Sequence, residues 1–142
     1  MRREIIRTKI REIEESIKLV KEHLPKSFEE FLNLGLVKDG IYKKMEFAIQ
    51  NVFDISAIIN TDLELGIPGS DEDIVENLTK RGIIDERMKK KLKLMKGFRN
   101  IVVHKYGRID DKLAFDILKS SMGDFQEFIE YINRFLADAK QK

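Results

Sequence analysis

Three side chains near the end of one predicted helix have the chemistry to act together on a phosphate group. They are Arg99, His104 and Tyr106. Arginine stays charged at any physiological pH and can bind two phosphate oxygens at once. Histidine transfers protons near neutral pH, and tyrosine can stack on a base. The spacing Arg–x4–His–x–Tyr, placed just before a helix stop at Gly107, therefore predicts a functional site.

The helical positions of these residues limit how they can meet. Arg99 and Tyr106 are seven positions apart and share a face, whereas His104 lies about 140° around the helix from Arg99. In a straight helix, Arg99 and His104 would not reach the same substrate atom. Either the helix distorts near His104, or a second chain completes the site.

Two further polar residues are candidates for supporting roles. Asn100 lies four residues before His104 on the same face, so it could orient a phosphate or His104, or make only a local helical hydrogen bond. Asp54 sits in an apolar stretch and could contact the Arg99 segment or have a purely structural role, since buried carboxylates are usually paired.

A basic run precedes the Arg99 segment on the same predicted helix. Met88, Leu92 and Met95 form its apolar stripe, which predicts that the charges face solvent. Such a run is either a solvated helix face or a ridge that contacts phosphates. The candidates for phosphate contact are Lys89, Lys90, Lys93 and Lys96.

Composition excludes several classes of function. The chain has 142 residues, no cysteine and a net charge of +2, so disulfides and thiol chemistry are absent and any nucleic-acid contact must be local. The two histidines, His23 and His104, are too far apart in sequence for a metal-binding motif, and no phosphate-binding glycine loop occurs. We expect no metal or cofactor. The charged N-terminus and the lack of a long apolar run predict a cytoplasmic protein.

Periodicity predicts an all-α single domain over residues 1–142. Apolar residues at steps of three and four indicate helices over 4–24 and about 40–65, and the second is apolar around most of its circumference. That helix is either central in a bundle or has one face in an oligomer interface. Short helices follow Ser27 and Ser70, another runs from Asp85 to about Tyr106, and a last helix from Asp110 has a possible kink at Gly123. We expect an up-down bundle of four to five helices.

The Arg–x4–His–x–Tyr pattern resembles the motif of the HepT toxin family within the HEPN superfamily. The similarity extends to the flanking residues, from Gly97 through Asp110, and to Gln50, Asp54 and Ile55 in the apolar helix. A third matching segment joins Leu78 to the run Gly82–Asp85. Together these matches cover roughly residues 5–135.

The resemblance implies a dimeric helical bundle that cleaves RNA without a metal. It implies that Arg99 and His104 are catalytic and face their counterparts across a dimer cleft. It also implies a partner, an MntA-type nucleotidyltransferase antitoxin, which transfers AMP to Tyr106 and can form a higher oligomer with the toxin. Two other interpretations stay open: an inactive HEPN-type module that only binds a nucleotidyltransferase or RNA, and a helical structural subunit without a ligand.

Overall fold

The structure, a computed structural model, describes residues 1–102 and 109–141, and these form seven α-helices without any strand. The all-α prediction is confirmed. The helices are α1 (Arg3–His23), α2 (Phe28–Leu32), α3 (Leu36–Asp62), α4 (Asp71–Lys80), α5 (Glu86–Val102), α6 (Asp111–Ser121) and α7 (Gly123–Gln141).

The predicted count of four to five helices was too low, because it did not include every short helix and because the expected final helix is two helices. The break falls at the predicted position, between Ser121 and Gly123, with Met122 still in a helical conformation. The sequence marked this point only as a possible kink, since a glycine is tolerated inside a helix as well as at its end. Helix α3 also begins earlier than predicted, at Leu36, because Gly35 takes a positive φ of 60° that starts the helix.

Side-chain caps fix several helix starts at the predicted residues. The Ser27 hydroxyl accepts from the backbone N–H of Glu30 and donates to the Glu30 carboxylate. The Ser70 hydroxyl accepts from the backbone N–H of Asp73 and caps α4, and the Asp110 carboxylate accepts from the backbone N–H of Leu113 and caps α6. Each cap satisfies a backbone N–H that the first helical turn leaves without a partner.

Helices α1 and α3 run antiparallel, as polar contacts along their lengths show. Arg2, just before α1, pairs with Asp62 at the end of α3 at 2.9 Å, and Lys9 pairs with Asp54 at 3.2 Å. The Tyr131 hydroxyl of α7 donates to Asp85, at the start of α5, at 2.6 Å and joins these two helices.

Helix α3 is the central helix, since it packs against α1, α4 and α5. Its buried apolar residues belong to one hydrophobic cluster to which all seven helices contribute. This position explains why apolar residues surround most of its circumference. Phe47 is a departure, because 41% of it remains exposed. No helix among the described residues is long and apolar enough to cross a membrane.

Candidate functional site

Arg99 lies in the last described turn of α5, and residues of α3 and α4 fix its guanidinium. Its Nη1 donates to Gln50 Oε1 at 2.9 Å, and its Cζ lies 5.7 Å from the centre of the Phe53 ring, within range of a cation–π interaction. Asp71 at the start of α4 is a looser partner, with its Oδ2 at 3.5 Å from Nη2. The side chain is 21% exposed, so the cation is held in place yet reachable from solvent.

The strongest contact to Arg99 comes from a neutral group, and that group is itself oriented. Gln50 Nε2 donates to Asp54 Oδ1 at 2.8 Å, which turns the amide oxygen of Gln50 towards Arg99. The second oxygen of Asp54 pairs with Lys9 of α1 at 3.2 Å. A chain of polar contacts therefore runs from α1 through α3 to Arg99, whose closest partner is neutral and whose charge is partly compensated by Asp71 at 3.5 Å.

Asp54 thus reaches the Arg99 segment through Gln50. Its placement combines the two roles left open by the sequence, because the carboxylate both ties α3 to α1 and orients the amide that holds Arg99.

The acidic first turn of α4 faces the basic face of α5. Lys96 pairs with Glu72 at 2.7 Å and lies 3.8 Å from Asp71, while Lys89 pairs with Glu76. The hydrogen bond from Lys96 lowers the pKa of Glu72 below its usual value, and that from Lys89 lowers the pKa of Glu76. These carboxylates therefore stay ionised at neutral pH.

The predicted phosphate-binding lysines divide into two groups. Lys90 and Lys93 are exposed, as expected for charges that face solvent. Lys89 and Lys96 differ from that expectation, since their side chains are only 24% and 26% exposed and pair with carboxylates of α4. The apolar stripe of a helix indicates which side chains point away from the core, but not whether a neighbouring helix places carboxylates beside them. The sequence therefore did not indicate these ion pairs.

Asn100 is exposed and lies beside a cleft between α4 and α5, next to Arg99 in sequence. His104 and Tyr106 lie outside the described residues, so their predicted roles stay predictions. Within the described ranges no group of three or more His, Asp or Glu side chains is arranged to hold a metal ion.

Sequence reasoning did not select Gln50, Phe53 or Asp71 as site residues. An acidic residue directly after the cap Ser70 is favourable at any helix N-terminus, and Phe53 belongs to the apolar run of α3, so neither residue type indicated a site. A signal for Gln50 existed, because Gln50 and Asp54 are four residues apart on a helix that is otherwise largely apolar. Polar side chains with that spacing share a face and can hydrogen-bond to each other.

Comparisons with known proteins agree with this architecture. Residues 13–132 match the family described as ribonuclease HepT-like. An mRNA nuclease HepT from Shewanella oneidensis is 29% identical over 96 residues, which are 68% of this chain and 72% of the relative. A candidate RNase from Archaeoglobus fulgidus is 31% identical over 136 residues, or 96% of each chain.

A solved structure of a related toxin has the same fold as this chain. It contains a tri-AMPylated HEPN toxin from Shewanella oneidensis in complex with an MNT antitoxin. The match has a TM-score of 0.82 and 28% sequence identity, and it covers 92% of this chain and 97% of the other.

Proposed function

The chain belongs to the ribonuclease HepT-like family, and from that premise we propose that it is a metal-independent endoribonuclease toxin controlled by a nucleotidyltransferase antitoxin. The observation that carries the proposal is the placement of Arg99. Its guanidinium is held by a neutral amide and an aromatic ring, and Asp71 pairs with it at the longer distance of 3.5 Å, so part of its charge is available to an anionic substrate. Such a preorganised cation suits the stabilisation of a phosphorane better than a freely moving one.

The proposed reaction uses the RNA's own 2′-hydroxyl. A histidine removes the proton from this hydroxyl, the oxygen attacks the adjacent phosphorus, and the bond from phosphorus to the 5′-oxygen breaks. The leaving oxygen takes a proton from a second acid, and the product is a 2′,3′-cyclic phosphate. We assign proton transfer to His104 and stabilisation of the negative charge to Arg99.

A two-fold dimer would supply the second acid. Each chain has one histidine in the motif, and symmetry brings a second His104 to the same cleft. The surface beside Gln50 supports this arrangement, because the partly exposed Phe47 lies one turn before it on α3 and would be covered by a second chain. In this dimer the Arg99 cations of the two chains would face one cleft.

The remaining candidates take supporting roles around the RNA backbone. We propose that the exposed Lys90 and Lys93 contact phosphates directly, whereas Lys89 and Lys96 act on RNA only if it displaces their α4 partners. Asn100 would orient the phosphate or His104. Because Asp54 fixes Gln50, it would act through Arg99 and not on the substrate itself.

Control by the antitoxin would act on Tyr106. In the related solved complex the toxin is tri-AMPylated and bound to an MNT antitoxin. On this chain, the Tyr106 oxygen would attack the α-phosphorus of ATP and release pyrophosphate, which leaves AMP on the side chain. The new phosphate would occupy the position next to Arg99 and repel RNA.

The proposal is tested by expressing the chain alone and together with its nucleotidyltransferase. We expect growth arrest from the chain alone, relieved by Arg99→Ala, by His104→Ala and by the partner. Mass spectrometry of the neutralised complex should find AMP on Tyr106. Absence of growth arrest combined with tight binding of the nucleotidyltransferase would favour the inactive binding module instead, and an unmodified Tyr106 in the complex would contradict the proposed control.

A further inference from the structure

A cleft of about 370 Å³ lies between α4 and α5, directly beside Arg99. Phe53, Val75 and Leu92, which are all buried core residues, form its apolar floor. Carboxylates of α4 and lysines of α5 line its rim. Arg99 stands at one end, since its guanidinium contacts two residues of the cleft, Phe53 and Asp71.

Gly97 lines this cleft without a side chain that would enter it. It lies inside α5, where glycine costs about 0.5–1 kcal/mol relative to alanine. A Cβ built on Gly97 would meet no atom within 4 Å, so the packing of the fold does not require a glycine. The absent side chain leaves backbone accessible in the wall of the cleft, which is a common use of glycine at ligand sites.

We propose that this cleft is a base subsite: it binds the RNA base next to the phosphate on Arg99 and prefers a base with an exocyclic amino group. The inference rests on the proposed function and names the substrate feature that the site would recognise. A base has a flat apolar face and a polar edge, which match the apolar floor and the charged rim. Because Arg99 contacts both Phe53 and Asp71, a phosphate at Arg99 brings the neighbouring base to the mouth of the cleft.

The rim supplies the preference for an amino group. Carboxylates accept hydrogen bonds from the amino groups of cytosine, adenine and guanine, and uracil has no such group. Glu72 and Glu76 each use one named oxygen in their lysine pairs, Oε1 and Oε2 respectively. A carboxylate has a second oxygen with further acceptor capacity, so a base can bind without breaking those pairs.

Two substitutions at one position test the subsite. Gly97→Leu fills the cleft, and Gly97→Ala is the matched control, since both remove the glycine from the helix and only the larger side chain occupies the space. Binding is measured with labelled oligo-cytidine and oligo-uridine on the full chain carrying His104→Ala, which prevents cleavage. We expect the Gly97→Ala chain to bind oligo-cytidine about tenfold more tightly than oligo-uridine, and Gly97→Leu to abolish that preference. Equal binding and equal preference in the two variants would overturn the proposal.

A second measurement does not depend on any substitution at Gly97. The backbone amide signal of Gly97 is followed by NMR as cytidine 3′-monophosphate or uridine 3′-monophosphate is added to the native chain. A larger shift with the cytidine nucleotide supports the subsite, and no shift with either nucleotide contradicts it.

Cleavage assays separate failure of the subsite from failure of the proposed function. If chains with intact His104 cleave RNA equally well with Gly97→Leu and Gly97→Ala, the base subsite is wrong and the ribonuclease assignment stands. If the native chain neither binds nor cleaves RNA, both are wrong.

Discussion

Gln50→Glu is the perturbation that tests most sharply how Arg99 is held. The substitution keeps the size of the side chain and replaces a neutral oxygen, 2.9 Å from the Arg99 guanidinium, by a carboxylate. It also places that carboxylate against Asp54, which now accepts from the Gln50 amide at 2.8 Å. Arg99 would then face a second carboxylate besides Asp71, so more of its charge would be compensated within the protein, and the chain of contacts from α1 would lose one link.

We expect Gln50→Glu to lower kcat/KM for RNA cleavage about tenfold. Two opposite charges 4 Å apart attract by about 4 kcal/mol near a protein surface, and exposed pairs realise only about 0.2–1 kcal/mol of this. Arg99 lies between these limits, with 21% of its side chain exposed. We therefore expect a loss of about 1–2 kcal/mol in transition-state stabilisation, which is roughly a 5–30-fold fall in kcat/KM.

The assay is initial-rate cleavage of a short labelled RNA at fixed ionic strength. Gln126→Glu is the matched control, because Gln126 is also exposed on a helix and the change in net charge is identical. Gln50→Ala should lose less activity than Gln50→Glu, since it removes the orienting contact without compensating the charge. If Gln50→Glu and Gln126→Glu cleave at the same rate, the amide of Gln50 does not govern Arg99 and the reasoning is refuted.

Three further predictions concern the core, the basic face and the response to acid. Phe31 is fully buried and packs against aromatic rings of α3 and α6, so Phe31→Ala should lower the free energy of unfolding by about 3–5 kcal/mol. In urea unfolding, Leu32→Ala at the half-exposed neighbouring position should lower it far less, and equal losses would argue against this packing. Joint replacement of Lys90 and Lys93 by alanine should leave the free energy of unfolding unchanged. It should reduce the slope of log affinity for single-stranded RNA against log salt concentration by about 0.7 per lost phosphate contact, and an unaltered slope would exclude these two lysines from RNA contact. Folding lowers the pKa of the carboxyls of Asp62, Glu72, Glu76, Asp85 and Glu127. Such carboxyls stabilise the native state above their unfolded pKa and lose this contribution as pH falls through the lowered values, so the melting temperature should be level above about pH 5 and fall below about pH 4. A melting temperature that rises on acidification would contradict the contacts of these carboxyls.

The helices and their caps were largely predictable because they depend on local patterns. The apolar steps of α1, the cap at Ser27 and the cap at Ser70 all act within a few residues of chain. The start of α3 at Leu36 was missed, since the predicted helix began at about residue 40, and the structure places Gly40 inside the helix. Whether a glycine ends a helix depends on the packing around it as well as on its own freedom.

The surroundings of Arg99 were less predictable because they join three helices. Arg99 was identified from its spacing to His104 and Tyr106, but Gln50 and Asp71 reach it from 49 and 28 positions away. The pairing of Lys89 and Lys96 with α4 likewise depends on how α4 and α5 are arranged, which no periodicity along one helix specifies. The sequence identifies the cation and the chemistry open to it, and the fold determines how that cation is held.

RNA cleavage in the presence of EDTA, with analysis of the product ends, tests the central claim most directly. The account predicts that the native chain cleaves RNA at full rate in EDTA and leaves 2′,3′-cyclic phosphate ends. It also predicts that Arg99→Ala and His104→Ala each remove this activity while the fold, measured by thermal unfolding, is retained. Cleavage that stops in EDTA, or that persists after Arg99→Ala, would contradict the assignment of Arg99 and His104 as a metal-independent catalytic pair.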